Sequence, residues 1–346
     1  MIYNLDISIK DAFQIISKTG EKCLIITEEN GKLLGTLSDG DLRKAILKGD
    51  HISNSIEKIF NPKPVTLCKG DYSIDDAKKI FLENRFDLIP IVDRKYKVVD
   101  VLLWDKVFNN GEQKKYEKLD VPVVIMTGGK GTRLEPFTKV LPKSLVPIHD
   151  KPIIEHIIER FTASGCLDFY LTVNFKGRIL KAYFEELNHD YSVSFVDESE
   201  PLGTAGSLKS LEGWFDIPFF VTNCDILIEA DYANLYNFHN KEKNDITLVA
   251  SAQEYIIPYG TCELNSNGHL SHINEKPKYD FLINTGLYIL DPDILTLIPK
   301  NKFYHITHLI EDAKNRGKKV GIYPIDDGAW IDVGQWAEYK KAIEKL

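Results

Sequence analysis

Val123-Val124-Ile125-Met126 is a short unbroken apolar run that opens directly into Thr127-Gly128-Gly129-Lys130-Gly131-Thr132-Arg133. Such a run, with no polar alternation, predicts a strand buried on both faces, the pattern of a parallel sheet covered by helices. The glycines let the backbone turn sharply and bring its N–H groups close to a ligand. Arg133, and Lys143 after Pro142, add fixed positive charge beside that turn. Together these features predict a loop that holds a nucleoside triphosphate. The spacings G-x-x-x-x-G-K-[ST] and G-x-G-x-x-G are both absent, so the loop is neither the common ATPase kind nor the dinucleotide kind.

A doubly buried strand requires more strands and helices around it, and the following residues supply them. Lys151 to Ala163 reads as a helix with Ile153, Ile154, Ile157, Ile158 and Phe161 on one face, ended by Gly165. Phe169 to Val173 reads as a strand, Ile179 to Leu187 as a helix and Val193 to Val196 as a strand. This alternation predicts a doubly wound α/β sheet with the ligand at the carboxyl ends of the strands. Phe219 to Asn223 reads as another strand, ending at Cys224-Asp225. The 346 residues suit two domains, and the net charge of −8 supplies no global basic field for nucleic acid. No apolar run approaches a membrane span and no signal-peptide pattern stands at the N-terminus. The five cysteines are scattered without a C-x-x-C pair, as expected of free thiols in a reducing cytoplasm.

The first 110 or so residues carry a repeat. Ser8-Ile9-Lys10-Asp11-Ala12 recurs as Ser73-Ile74-Asp75-Asp76-Ala77, an offset of 65. Each reads as a helix start, with a serine N-cap and an acid three residues on, a variant of the capping box. Each is followed by paired strands: Leu24-Ile25-Ile26 with Leu33-Leu34-Gly35, and Leu88 to Val92 with Val98 to Leu103. Neither copy can bury its face alone, so the two should form one unit. The polar stretch Asn109 to Asp120 then reads as a linker with its boundary near residue 118. The expected division is 1–112, a linker at 113–120, and 121–346.

The string G-G-x-G-T-R-L…P-K-x-L resembles the sugar-1-phosphate nucleotidyltransferases, over the stretch from Val121 to the C-terminus. The resemblance implies a Rossmann-like (GT-A-like) α/β domain that couples a nucleoside triphosphate to a sugar 1-phosphate and releases pyrophosphate. It gives Thr127, Gly128, Gly129, Gly131 and Thr132 to nucleotide binding, and Arg133 and Lys143 to the phosphates. Pro201-Leu202-Gly203-Thr204-Ala205-Gly206 resembles the segment that lines the family's base pocket, which adds Gly203 and Thr204. Glu198 or Glu200 would accept from guanine N1–H and N2–H₂, a pairing the other bases cannot match; either is equally readable as a solvated loop acid. The form E-P-L-G-T-A-G looks most like the guanylyl-transferring members, which favours GTP. Asn223-Cys224-Asp225 resembles the family's N-G-D, with cysteine where glycine is usual, and Trp330-Ile331-Asp332-Val333-Gly334 resembles W-x-D-[VT]-G. Asp225 and Asp332 would then hold Mg²⁺, with phosphate oxygens and water completing its shell. Tyr259-Gly260, Glu275-Lys276-Pro277 and Asn284-Thr285-Gly286 follow in the family's order and would contact the sugar, with Lys276 on its phosphate. Thr307-His308-Leu309-Ile310 stands where relatives often have T-D-L-I, and His308 reads as a helix-start or surface residue.

The repeated module resembles an α+β tandem CBS domain. Gly35-Thr36-Leu37-Ser38-Asp39-Gly40-Asp41-Leu42 is close to that family's G-x-[IL]-[ST]-D-x-D-[LI], so Thr36, Ser38 and Asp39 would contact a regulatory nucleotide. The alternative is that Asp39 and Asp41 cap a helix and the module only dimerises. The second copy, Asp100 to Asp105, lacks the Ser/Thr-Asp pair. The CBS-fused architecture resembles the glucosamine-1-phosphate guanylyltransferases of bacterial legionaminic acid (nonulosonate) synthesis. Alternatives within the class are mannose-1-phosphate guanylyltransferases and thymidylyl-, uridylyl- or cytidylyl-transferring relatives. From another class, a nucleotide-sensing regulator would have kept the fold and lost turnover. The expected partners are the triphosphate, the sugar 1-phosphate and a second copy of the chain.

Overall fold

The computed structural model describes residues 2–84, 86–108 and 119–345. Contacts divide the chain into two compact units. One takes Met1–Lys115, Ala252–Ile283 and Asp326–Gly328; the other takes Tyr116–Ser251, Asn284–Ile325 and Ala329–Leu346. This differs from the consecutive division expected from the sequence chiefly in residues 252–283, which lie with the N-terminal module. The expected linker lies, in residues 113–118, outside the described residues, as does the boundary at 118.

The N-terminal module is a repeat in structure as well as in sequence. Its first copy runs β1 (Ile2–Tyr3), α1 (Ile9–Thr19), β2 (Cys23–Thr27), β3 (Leu33–Ser38) and α2 (Asp39–Leu47). Its second runs β4 (Leu67–Cys68), α3 (Ile74–Asn84), β5 (Leu88–Val92), β6 (Val98–Leu103) and α4 (Trp104–Phe108). In each, the short first strand pairs parallel with the second, and the second antiparallel with the third. Ser8 and Ser73 open α1 and α3 with reciprocal bonds to Asp11 and Asp76, hydroxyl to carboxylate at 2.6 Å in both. Ile9, Ala12, Phe13 and Ile16 form the buried stripe of α1. The two sheets meet edge to edge, Leu33 N–H donating to Tyr96 O at 2.9 Å and Val98 N–H to Gly31 O at 3.0 Å. Ile25, Leu33, Leu88 and Val92 pack together across that junction, so each copy covers what the other leaves open.

The second unit is built on β7 (Val123–Met126), buried along its whole length. It pairs parallel with β8 (Asp168–Val173), which pairs parallel with β9 (Ser192–Asp197). On its other side it pairs parallel with β10 (Phe219–Asn223). Beyond lie the short β11 (Ile226–Ile228), then β12 (Ile246–Ile256), β13 (Thr261–Leu264), β14 (Leu270–Asn274), β15 (Lys278–Leu290), β16 (Val320–Asp326) and β17 (Trp330–Asp332). The seven-stranded sheet has the order β9-β8-β7-β10-β15-β12-β16, with β15 antiparallel to β10. Alternation along β7 feeds two cores. Val123 and Ile125 pack with Ile154, Ile157, Ile158 and Phe161 of α5 (Ile153–Ala163), while Val124 and Met126 pack with Leu208, Leu211 and Leu309. An uninterrupted apolar strand is what such a three-layer arrangement demands.

Residues 252–283 form an arm: the outer parts of β12 and β15 with the ribbon β13–β14 between them. The ribbon pairs Cys262 with Ile273 and Glu263 with His272, and every residue of β14 is exposed. Among the described residues no helix is long and apolar enough to cross a membrane.

Candidate active site

The carboxyl ends of β7 and β10 open into a cleft of about 510 Å³. Its floor is the loop after β7. Thr127 is held by two bonds to Thr172 O of β8, from its N–H at 3.1 Å and its hydroxyl at 2.5 Å. Gly131 takes the left-handed φ of +64°, and Thr138 donates to its carbonyl at 2.9 Å. Gly128, Gly129, Gly131, Thr132 and Arg133 all line the cleft, so the residues expected to carry phosphates face one space.

Lys143, Asp225 and Asp332 meet although they lie far apart in sequence. Asp225 follows β10, and β11 just after it pairs antiparallel with β17, placing Ile226 opposite Asp332. Val333 N–H donates to Asp225 O at 2.8 Å and Gly334 N–H to Asp332 Oδ1 at 2.8 Å. Lys143 and Asp225, both largely buried, form an ion pair. A side chain at Gly334 would run into Asp225 Oδ2 and come within 2.8 Å of Asp332 Oδ1 and 2.9 Å of Lys143 Nζ. Two carboxylates and one ammonium therefore converge where the backbone has no side chain. Burial, and after it the neighbouring Asp225, raise the Asp332 carboxyl above its ordinary range, against the Gly334 N–H, Lys143 and Arg133. The unusual Cys224 is buried in the core cluster and borders the cleft, and burial pushes its thiol up to about 12. Asp225 keeps its place beside Lys143.

The facing wall separates alternatives that the sequence left open. Glu198 lines the cleft: a side chain on Gly128 would come within 2.9 Å of Glu198 Oε1. Burial raises its carboxyl, partly offset by donors at Leu202 N, Thr172 and Ser207. Glu200 is exposed and does not line the cleft. Gly203 and Thr204 line it too, but the Thr204 hydroxyl accepts from Ile306 N–H at 3.0 Å, pinning the start of α6 (Ile306–Asn315). Leu202 O, Ala205 N–H and Gly206 N–H bond the backbone of Tyr304. That clamp brings Phe303 and His305 into the cleft wall, rings at 4.7 Å. Nothing in the local sequence marked them. His308 has a role after all, its Nδ1 accepting from His305 N–H at 3.3 Å to close the start of α6.

The remaining expected residues divide. Asn223, at the end of β10, lines the cleft. Thr285 is buried, and its hydroxyl donates to Val249 O at 2.8 Å, tying β15 to β12. Asn284 spends its amide on Tyr288 OH at 2.9 Å and its oxygen on Gly286 N–H at 3.0 Å. Tyr259, Gly260, Glu275 and Lys276 belong to the arm. There Gly260 lies against Glu275, a side chain on it meeting Oε2 at 2.7 Å, and Lys276 has a φ of +47°. In the N-terminal module Ser38 closes a capping box with Asp41, hydroxyl to carboxylate at 2.6 Å, and Asp39 pairs with Arg43. Thr36 exchanges backbone bonds with Asn61.

A family model described as nucleotidyl transferase matches residues 122–346. The chain belongs to the nucleotidyl transferase family. A CBS domain model also matches residues 3–48. A mannose-1-phosphate guanyltransferase of Yarrowia lipolytica is 35% identical over 223 residues, 61% of this chain and 60% of that protein. One from Aspergillus fumigatus is 37% identical over 224 residues, with the same coverage. This nucleotidyl transferase thus spans about 60% of the length of the curated relatives it matches. Among solved structures, HddC from Yersinia pseudotuberculosis, described in one case as complexed with GMP-PN, is 27% identical, covering 65% of this chain and 99% of its own, with TM-scores of 0.52 and 0.50.

Proposed function

We propose that this nucleotidyl transferase moves GMP from GTP to a hexose or hexosamine 1-phosphate, releasing pyrophosphate. The observation that carries the reading is the convergence of Lys143, Asp225 and Asp332 at Gly334, the first two lining one cleft with the Gly128–Gly131 loop and Glu198. The family membership and the guanyltransferase relatives support it. So does the position of Glu198, an acid able to accept from guanine N1–H and N2–H₂.

A sugar 1-phosphate is already anionic, so no side chain has to deprotonate it, and the work is positioning and charge neutralisation. The loop N–H groups and Arg133 hold the β- and γ-phosphates of the leaving pyrophosphate. Lys143 neutralises phosphate oxygens. Asp225 and Asp332, two carboxylates that converge at Gly334, would hold Mg²⁺, with phosphate oxygens and water completing its shell. That ion would add positive charge at the α-phosphate. Lys276 neutralises the sugar phosphate, and Tyr259, Gly260 and Glu275 contact the sugar. Glucosamine 1-phosphate and mannose 1-phosphate are the leading acceptors. A cytoplasmic setting, self-association and a regulatory nucleotide at the first CBS copy belong to the same proposal.

The test is pyrophosphate release with Mg²⁺, crossing GTP, ATP, CTP, UTP and dTTP with glucosamine, mannose, glucose and N-acetylglucosamine 1-phosphates, and identifying products by mass spectrometry. A GTP-dependent signal with one of the sugars is expected. A signal with another triphosphate keeps the reaction and overturns the guanine assignment; silence across the grid overturns catalysis.

A further inference from the structure

The arm 252–283 shares a compact unit with the N-terminal repeats, and its attachment is specific. Ala252 joins the core of the first repeat, with Ile9, Ala12, Phe13 and Leu37. Glu254, whose side chain is only 7% exposed, pairs with Lys10 of α1 at 3.3 Å and with Lys278 at 3.4 Å. On the antiparallel neighbour, Asp280 Oδ2 accepts from Ile52 N–H at 2.9 Å and lies 3.1 Å from His51 Nδ1. The other oxygen of Asp280 is buried without a hydrogen-bond partner among the described residues. A carboxylate buried on those terms costs stability, so its presence calls for a reason other than packing. An apolar residue would seal the same contact more favourably, but it would not fix direction. Two carboxylates, one on β12 and one on β15, grip two separate points of the first repeat. Such a pair of directional bonds adds a fixed direction to the hold that the pairing of β12 with β15 already gives the segment that connects them.

That segment contains Tyr259, Gly260, Glu275 and Lys276. We propose that Glu254 and Asp280 are positioning residues for the acceptor: the first repeat holds the arm so that Glu275 and Lys276 are presented to the sugar phosphate. The inference rests on the reading of Lys276 as the ligand of that phosphate. It gives the first repeat a part in the reaction that needs no regulatory ligand. It also accounts for the asymmetry of the module, since the contacts named here are all made by the first copy.

The test uses the full chain. Pyrophosphate release is measured with GTP and with glucosamine 1-phosphate or mannose 1-phosphate varied in turn, for Asp280→Ala, Asp280→Asn, Glu254→Gln and Lys276→Met. Amide hydrogen exchange across residues 252–283 is followed in parallel. Asp280→Ala should raise the sugar-phosphate KM about tenfold, the scale of a lost charge-assisted bond, and leave the GTP KM unmoved. Asp280→Asn retains an oxygen for Ile52 N–H and should fall between Asp280→Ala and the parent. Exchange should quicken in the arm and stay unchanged in β7 and β8. If Lys276→Met raises the sugar-phosphate KM and Asp280→Ala does not, the positioning role is wrong. If both KM values rise together, or the arm exchanges as before, it is equally overturned. If Lys276→Met leaves the sugar-phosphate KM unmoved, the acceptor reading itself fails.

Discussion

The nucleotide cleft and the arm are built by opposite means. The cleft stands on strand ends: Thr127, Lys143 and Asp225 are buried or nearly so, and each is tied to an element at least 45 residues away in sequence. The arm is a two-stranded projection whose chemistry-bearing residues are open to solvent, Tyr259 being 75% exposed. A two-stranded ribbon is marginal by itself in water, and this one is carried by β12 and β15 and by their contacts with the first repeat. On the proposed function, the nucleotide would meet buried strand-end groups and the sugar phosphate exposed ones.

Four substitutions sharpen or break that contrast. Arg133→Ala removes a charge from an exposed position in the preformed side. Turnover should fall by roughly 10²–10³, the scale of a lost transition-state donor, with thermal stability nearly unchanged; near-parent turnover would remove Arg133 from the mechanism. Glu198→Gln should cut kcat/KM for GTP by about 10- to 100-fold, because an amide cannot accept from both guanine donors. The same carboxyl gives a pH signature. Burial raises it above the ordinary range, and only its ionised form accepts. GTP affinity should therefore be full above that raised pKa and fall as pH drops through it, measured as the GTP KM between about pH 8 and pH 5. Glu198→Gln should flatten that dependence, and an unchanged profile would separate Glu198 from the base. The smallest effect tests the arm: Leu264→Ser, 68% exposed, should stay within about 0.5 kcal/mol by denaturant unfolding. Its counterpart Ile125→Ala, fully buried in β7, should cost about 2–5 kcal/mol. Comparable losses at the two positions would show that the arm carries a core of its own.

What could be read in the sequence follows the same line. The capping boxes at Ser8 and Ser73 and the uninterrupted β7 are local patterns with one physical solution each, so they were legible without coordinates. The meeting of Asp225 with Asp332 was legible through resemblance, since their 107-residue separation is closed only by the pairing of β11 with β17. Glu198 could not be told from Glu200, because two residues of one loop differ only in which way the chain turns. Phe303 and His305 were missed for a related reason: the backbone clamp between Leu202 and Tyr304 has no side-chain signature. The bond from Thr285 to Val249 was illegible because a threonine in a strand looks alike whether its hydroxyl faces a ligand or a neighbouring carbonyl. The allegiance of 252–283 was illegible because it rests on single acids at Glu254 and Asp280, unremarkable among the 51 in the chain.

On the proposed function, the ion pair between Lys143 and Asp225 makes the entry of a nucleotide an exchange of partners. A lysine already matched to a carboxylate has to be released before it can face a phosphate, and the freed carboxylate is then ready for a cation. On the proposed function, triphosphate and divalent cation would thereby be coupled, each making room for the other. Added salt should weaken their joint capture less than it would weaken an anion landing on bare positive charge.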